Sequence, residues 1–345
     1  MLKTAQSIGI VEMGGKGSIL RTTAVTHAIR EVNPSVDTYW FTNNKNVDIL
    51  QYVPGIIPIN IEQVDTTSLR SLIENLDVVL NFELNNSAKN IVQHAKRIGG
   101  FTLNQQGKFH GVYPYAEEFQ RLQVDDYFRK HHTTTMQEIL LKSVGLYDSE
   151  PHYDVLLHPD NYQRADELLK QAFNCTLPAG IIGLNIGTSE RGMARRWPIE
   201  YHVELAENLV NRHPDIGVAI LSGPEDEEAR LEMINCLKLS KANLAILPNN
   251  LDVGDFIGIL SKLKLLVTSN TFALHAAHSQ KVPLISFENP LPFYEMELRD
   301  DDIQLSHNLP CGPCYNKCTQ LVFAQCMHEI TAEEVLTQIE KWLEK

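Results

Sequence analysis

The sequence predicts an α/β protein built from two doubly wound, Rossmann-like domains, each around a parallel sheet. Three observations carry this. Short apolar runs alternate with segments of helical period along most of the chain, the pattern of strands joined by crossover helices. With 345 residues, 43% apolar and 21% charged, the chain can fill two cores rather than one. The stretch from Leu265 to Pro290 shows one complete unit. An apolar run (Leu265 to Val267) leads through Asn270 and Thr271 into a small-residue helix bearing His275, and Val282 to Phe287 forms a second run.

In chain order, Ser7 to Glu12 is a strand, followed by a loop with Gly14, Gly15 and Gly17 and a helix from Ser18 to Val32 closed by Asn33-Pro34. Such glycines let backbone approach a ligand, and the helix start offers free amides. The order GGKGS lacks the GxGxxG spacing, which argues against a dehydrogenase. Strands follow at Asp37 to Phe41 and Asp77 to Phe82, then a helix from Ser87 to Ile98 ended by Gly99-Gly100, then a strand at Phe101 to Asn104. The segment Gln105 to Thr135 is polar, aromatic and irregular. Loops of that length inside compact domains are usually functional, so it is assigned to acceptor contact.

A helix from Thr135 to Val144 precedes a Pro- and His-containing linker, Glu150 to Pro159. The domains are therefore placed at 1–158 and 159–330. A final helix at 331–345, headed by the capping pair Thr331 and Glu334, is expected to pack back on the first domain.

The second half opens with a helix from Tyr162 to Phe173 and a strand from Gly180 to Ile186. Gly187, Thr188 and Ser189 follow, then Arg195 and Arg196 ahead of Trp197-Pro198 and a helix to Arg212. Hydroxyls, backbone amides and guanidinium groups in that order suit a pyrophosphate clamp. The strand Ile216 to Leu221 ends in SGPEDEEAR, whose carboxylates can bind ribose hydroxyls or stabilise the start of a helix running to Leu239. A short run, Leu244 to Leu247, leads to Pro248-Asn249-Asn250. Ligands of open parallel sheets lie beyond the carboxyl ends of strands, which is where Asn270 and Thr271 fall. His275 follows one turn later on the same helical face.

Charge narrows the partners. Residues 1–158 carry 14 Lys and Arg against 17 Asp and Glu, net −3, and residues 159–345 carry 16 against 26, net −10. No basic tract supports nucleic-acid binding. No run is long and apolar enough for a transmembrane segment, and the first residues lack the features of a signal peptide, so a cytoplasmic protein is expected. Cys311, Cys314, Cys318 and Cys326, spaced C-x2-C-x3-C-x7-C, can close a tetrahedral structural site for Fe or Zn within the loop 311–326.

These motifs together resemble glycosyltransferase family 9, the ADP-heptose:lipopolysaccharide heptosyltransferases and their relatives. In that family an Asp-Thr-Gly turn precedes a His-bearing helix; here the turn reads Asn270, Thr271, Phe272, with His275 in place. The segment from Gly187 to Pro198 is similar to the family's phosphate-contacting stretch, with Arg195 at its basic position. The SGPEDEEAR stretch resembles its ribose-binding turn, with Asp226 aligned and Glu225 adjacent, and the loop at 248–250 takes the place that lies against the nucleobase. Gly17 matches the family glycine, while Ser18 stands where the family carries Asp, the proposed base for the acceptor hydroxyl. A serine cannot take that proton unaided. Glu12 and His110 are therefore the candidates for the base.

The resemblance implies the GT-B fold, two domains facing a cleft, and transfer of a sugar from a nucleotide diphosphate, by analogy ADP-heptose, with inversion. Arg195 and the helix termini would neutralise the departing diphosphate without a metal. The acceptor would be a glycan, a lipid-linked saccharide or a protein, and an oligomer is compatible. Some relatives, autotransporter heptosyltransferases among them, hold iron in a similar cysteine finger. The alternatives are a nucleotide-sugar epimerase of the same fold and a catalytically silent relative.

Overall fold

The computed structural model describes residues 1–237, 242–307 and 309–345, so Leu239, the expected helix end, lies outside the described residues. The chain divides into two units, one of Met1–Leu156 with Tyr294–Glu297 and one of Leu157–Phe293 with Leu298–Lys345. The break near residue 156 falls in the expected linker.

The first unit holds a six-stranded sheet of β1 (Ser7–Val11), β2 (Asp37–Thr42), β3 (Ile56–Asn60), β4 (Val78–Asn81), β5 (Ile98–Leu103) and β6 (Phe109–Gly111), in the order β3-β2-β1-β4-β5-β6. All pairs are parallel except β5 with β6. β1 is buried along its length because its alternate faces both meet helices, which is why it reads as one apolar run. The edge strand β3 contains Pro58, a residue tolerated at a sheet edge because it needs no ladder N–H. Gly99 and Gly100 do not end a helix as expected; they lie inside β5. Gly100 has φ +76°, and a Cβ there would stand 2.2 Å from the Asn81 carbonyl oxygen, so the close approach of β5 to β4 requires glycine.

The segment 105–135, expected to be an irregular loop, contains β6 and helices at Pro114–Val124 and Asp126–His131. Ala116, Phe119 and Leu122 recur at helical spacing and are buried, with Pro114 at the first helical position. Tyr294–Glu297 is part of this unit, and the Tyr294 hydroxyl donates to the Arg129 carbonyl at 2.7 Å.

The second unit holds β7 (Gly180–Asn185), β8 (Ile216–Leu221), β9 (Leu244–Ile246), β10 (Leu265–Ser269), β11 (Leu284–Phe287) and β12 (Ile303–Leu305), all parallel, in the order β12-β11-β10-β7-β8-β9. Trp197 anchors its core. The indole packs 4.7 Å from the Phe287 ring, and its N–H donates to the Ile330 carbonyl at 2.8 Å.

The last helix, Ala332–Leu343, belongs to this second unit and packs in its core. Val335, Leu336 and Ile339 are fully buried beside the helix Ile199–Arg212, and each such aliphatic contributes about 1.5–3 kcal/mol by leaving water. Arg212 pairs with Glu333 and Glu340 at 3.4 Å, but these exposed pairs add little. Thr331 does cap the helix, accepting the Glu334 N–H at 3.2 Å. Among the described residues no helix is long and apolar enough to cross a membrane.

Candidate functional site

In each sheet the chain leaves the two central strands toward opposite edges, which opens a crevice beyond their carboxyl ends. That point lies between β7 and β10 in the second unit and between β1 and β4 in the first. Most residues singled out in the sequence fall at one of these two places.

In the second unit, Asn185 at the end of β7 ties the two loops together. Its side-chain amide donates to Thr268 Oγ1 at 2.9 Å, the Gly187 carbonyl at 3.2 Å and Thr271 Oγ1 at 3.3 Å. Arg195 donates to the Asn270 carbonyl, and Ser269 donates back to the Arg195 carbonyl, so the 187–196 segment and the 270 turn hold each other. Thr188 and Asn270 are both buried, yet among the described residues the Thr188 hydroxyl and the Asn270 side-chain nitrogen have no hydrogen-bond partner. Buried polar atoms are nearly always satisfied, so such atoms in a crevice are fitted to a polar ligand. Thr271 heads the helix Phe272–Ser279 without capping it through its side chain. The first amides of that helix thus keep their anion-binding capacity. His275 is buried in the same helix, and Ser189 is exposed at the rim.

Asp226 and Arg196 do something other than expected. Asp226 is buried, and both oxygens are engaged: Oδ1 accepts from the Thr188 N–H at 3.0 Å and from Arg196 at 3.1 Å, and Oδ2 accepts from the Gly223 N–H at 3.0 Å. The carboxylate fixes two loops with both oxygens, and Arg196 is its counter-ion through Nη2. The signal was present in the sequence. An acidic residue three positions after a turn glycine folds back on that glycine's amide, as in a capping box. Glu225 and Glu227, on either side of Asp226, are exposed; Glu227 accepts from Asn249 in the 248–250 loop at 2.6 Å and lies 3.7 Å from Arg230.

In the first unit, Glu12 follows β1 and is only 6% exposed. Its Oε1 accepts the Gly14 N–H at 2.7 Å. Burial, and secondly the Glu83 carboxylate beside it, push its pKa up to about 8. Asn43 and Asn46 hold this loop by donating to the Met13 carbonyl at 2.9 Å and the Gly14 carbonyl at 2.7 Å. A Cβ on Gly14 would lie 2.7 Å from Glu12 Oε1 and 3.1 Å from Ser18 Cβ, so only a glycine lets the carboxylate and the serine flank the loop. Ser18 accepts from Arg21 at 3.3 Å, and Arg21 is paired with Glu295. His110 is not brought to this group. It is exposed in β6, with β4 and β5 between it and β1. Glu83 and Arg21 are the members that sequence reading did not find.

Cys311, Cys314 and Cys318 are partly exposed and Cys326 is buried. Burial first, and then the other three thiols, push Cys326 up to about 12; Cys314 is raised by burial and by Cys318 and Cys311. The four therefore share one neighbourhood, and the Ala324 N–H points at Cys318 Sγ at 3.3 Å. Even so, among the described residues no group of three or more His, Cys, Asp or Glu side chains is gathered tightly enough to hold a metal ion.

Residues 69–322 match the profile of glycosyltransferase family 9 (heptosyltransferase). Lipooligosaccharide heptosyltransferase 2 of Campylobacter jejuni is 27% identical over 165 residues, which is 47% of this chain and 51% of that protein. The chain thus spans about half the length of the curated relatives it matches. The glycosyl transferase family 9 structure from Veillonella parvula superposes with a TM-score of 0.75 at 18% identity, covering 100% of this chain and 99% of that one. ADP-heptose LPS heptosyltransferase II of E. coli superposes with a TM-score of 0.69 at 14% identity, covering 98% of each chain. These two likenesses bear on the fold.

Proposed function

The chain belongs to glycosyltransferase family 9, the heptosyltransferases, and from that premise we propose that it moves a heptose from ADP-heptose to a saccharide or protein hydroxyl with inversion. The observation that carries the donor half is the pair of buried, unpartnered groups, Thr188 Oγ1 and Asn270 Nδ2, beside a helix start with free amides. Thr188, Ser189 and the first amides of the helix Phe272–Ser279 receive the diphosphate, with Arg195, Thr271 and His275 around it. Asn270 faces the sugar. Glu227, rather than Asp226, meets the ribose. ADP as the nucleotide is supported by one structural neighbour, the E. coli ADP-heptose LPS heptosyltransferase II, whose name carries that donor.

For the acceptor half, Glu12 is the base. Inversion requires a proton to leave the attacking hydroxyl, and Ser18 cannot take it at its ordinary pKa. The Glu12 carboxyl, raised toward neutrality, is suited to that task. The test is release of ADP from ADP-heptose by the purified protein, with and without a heptose-acceptor oligosaccharide core. Acceptor-dependent release supports transfer. Release of a free sugar product without acceptor moves the reading to an epimerase-like reaction, and no consumption of donor leaves a binding protein. Arg195→Ala should weaken ADP binding in calorimetry by about tenfold or more, close to the loss of one charged hydrogen bond. Unchanged affinity would take Arg195 out of the donor site.

We also propose that Cys311, Cys314, Cys318 and Cys326 bind one Fe or Zn ion, which would draw the four thiols together into a closed tetrahedral set. All ligand positions would then be protein sulfur, so the ion would be structural. Cys314→Ser is expected to lower bound metal and melting temperature together. A wild-type protein that holds no metal and melts unchanged after chelator treatment would remove the ion from the account.

A further inference from the structure

The first unit's switch point holds a second carboxylate, Glu83, that nothing so far has used. It stands just past β4, the strand that pairs with β1 with Val11 opposite Asn81, so Glu12 and Glu83 leave the sheet side by side. Glu83 is well fixed. Its Oε1 accepts the Met13 N–H at 2.8 Å, its Oε2 accepts from Asn85 at 2.7 Å, and its own N–H donates to the side chain of the fully buried Asn81 at 3.1 Å. Glu12 is docked on the very next amide, Gly14 N–H, at 2.7 Å. Consecutive amides of one loop, Met13 N–H and Gly14 N–H, thus hold the two carboxyl groups next to each other.

A carboxylate so placed disfavours the ionised form of its neighbour, and the Glu83 charge adds to burial in raising Glu12. The other charge facing the pair is Arg21 on the helix Lys16–Val32, which favours ionisation of Glu12 but is committed to Glu295 and lies beside Tyr153. Its pull on Glu12 is smaller than the push of Glu83.

Resting on the reading of Glu12 as the acceptor's base, we propose that Glu83 is its positioning partner. The Glu83 charge beside it makes Glu12 hold its own proton more tightly, and Glu12 accepts the acceptor's proton only after that proton has left. In the transfer, the acceptor oxygen bonds to the anomeric carbon while the bond from that carbon to the diphosphate breaks, its electron pair leaving on the diphosphate. The hydroxyl proton passes to Glu12 and then to solvent. Glu83 touches neither substrate; it sets the pH at which Glu12 is open.

The experiment is a difference infrared titration of the full-length protein, in which the band lost in Glu12→Gln identifies the Glu12 carboxyl. In Glu83→Gln, whose amide oxygen can still accept the Met13 N–H, the titration midpoint should fall by about one pH unit or more, a tenfold or greater loss of proton affinity. An unmoved midpoint overturns the pairing. Glu83→Asp, which withdraws the carboxylate by one methylene, should give an intermediate midpoint, and it carries the test if the Gln variant does not fold; the wild-type midpoint there overturns the pairing equally. The parent reading fails separately: Glu12→Gln turning over ADP-heptose at the wild-type rate removes the base assignment, whatever the titration shows.

Discussion

Replacing Glu12 with Gln is expected to cut glycosyl transfer by about 10²–10⁴-fold, the usual contribution of a positioned base, while ADP affinity stays at the wild-type value. The separation follows from location. Glu12 belongs to the first unit, and the groups assigned to the nucleotide belong to the second. Ser18→Ala should cost far less, because the Ser18 hydroxyl accepts from Arg21 and, among the described bonds, donates to no carboxylate. Measured as ADP released from ADP-heptose in the presence of acceptor, equal losses in the two variants would return the catalytic role to the serine. The wild-type rate should also climb with pH up to about 8, since the base works only when ionised.

The same shift has a sign for stability. Glu12 ionises at a higher pH in the folded chain than its ordinary 4.5. Between those values the native state keeps a proton that the unfolded chain has lost, so stability falls as pH rises and levels off above about 8. Glu12→Gln should flatten that slope in thermal melts between pH 5 and 8.

The sheets were legible because their central strands are buried on both faces and so read as uninterrupted apolar runs. β7, β8 and β10 stand where those runs predict. β3 and the edge strand β12 were not foreseen, since a short edge strand, one of them containing proline, lacks that signal. The helices within 105–135 were hidden by polar and aromatic residues on a solvated face, although Ala116, Phe119 and Leu122 kept the period. The final helix carries a stripe of Val335, Leu336 and Ile339, which in the sequence says only that it packs somewhere and does not specify the second unit's core in which it lies.

Site residues followed the same division. Thr188, Asn270, Thr271 and Arg195 could be placed together because each follows a legible strand or lies in the loop after it. Glu83 could not be joined to Glu12, since 70 residues separate Glu83 from the Met13 amide it holds and no local pattern links them. The roles of Asp226 and Arg196 were misread because a carboxylate beyond a strand has the same sequence signature whether it meets a ligand or its own backbone.

That distinction gives the second large effect. Asp226→Ala leaves the Thr188 and Gly223 amides without their acceptor and the Arg196 guanidinium without its counter-ion, in a site where the Asp226 side chain is only 6% exposed. Breaking such a buried pair from one side typically costs about 3–5 kcal/mol, so the variant should melt well below the wild type. Asp226→Asn should lie between the two. If its oxygen faces Thr188 and Arg196, it places an NH2 against the Gly223 N–H and loses the charge; one charge-assisted bond is worth about 1.5–3 kcal/mol. Nucleotide affinity should fall in step with stability, because the loop that Asp226 pins carries Thr188. Glu227→Ala is the contrast, since that side chain is exposed, accepts from Asn249 and otherwise makes only a loose ion pair with Arg230 at 3.7 Å among the described contacts. It should weaken ADP binding with little change in melting temperature. A stable Asp226→Ala protein that has lost only nucleotide affinity would restore the aspartate as a direct ligand and leave Glu227 a surface residue.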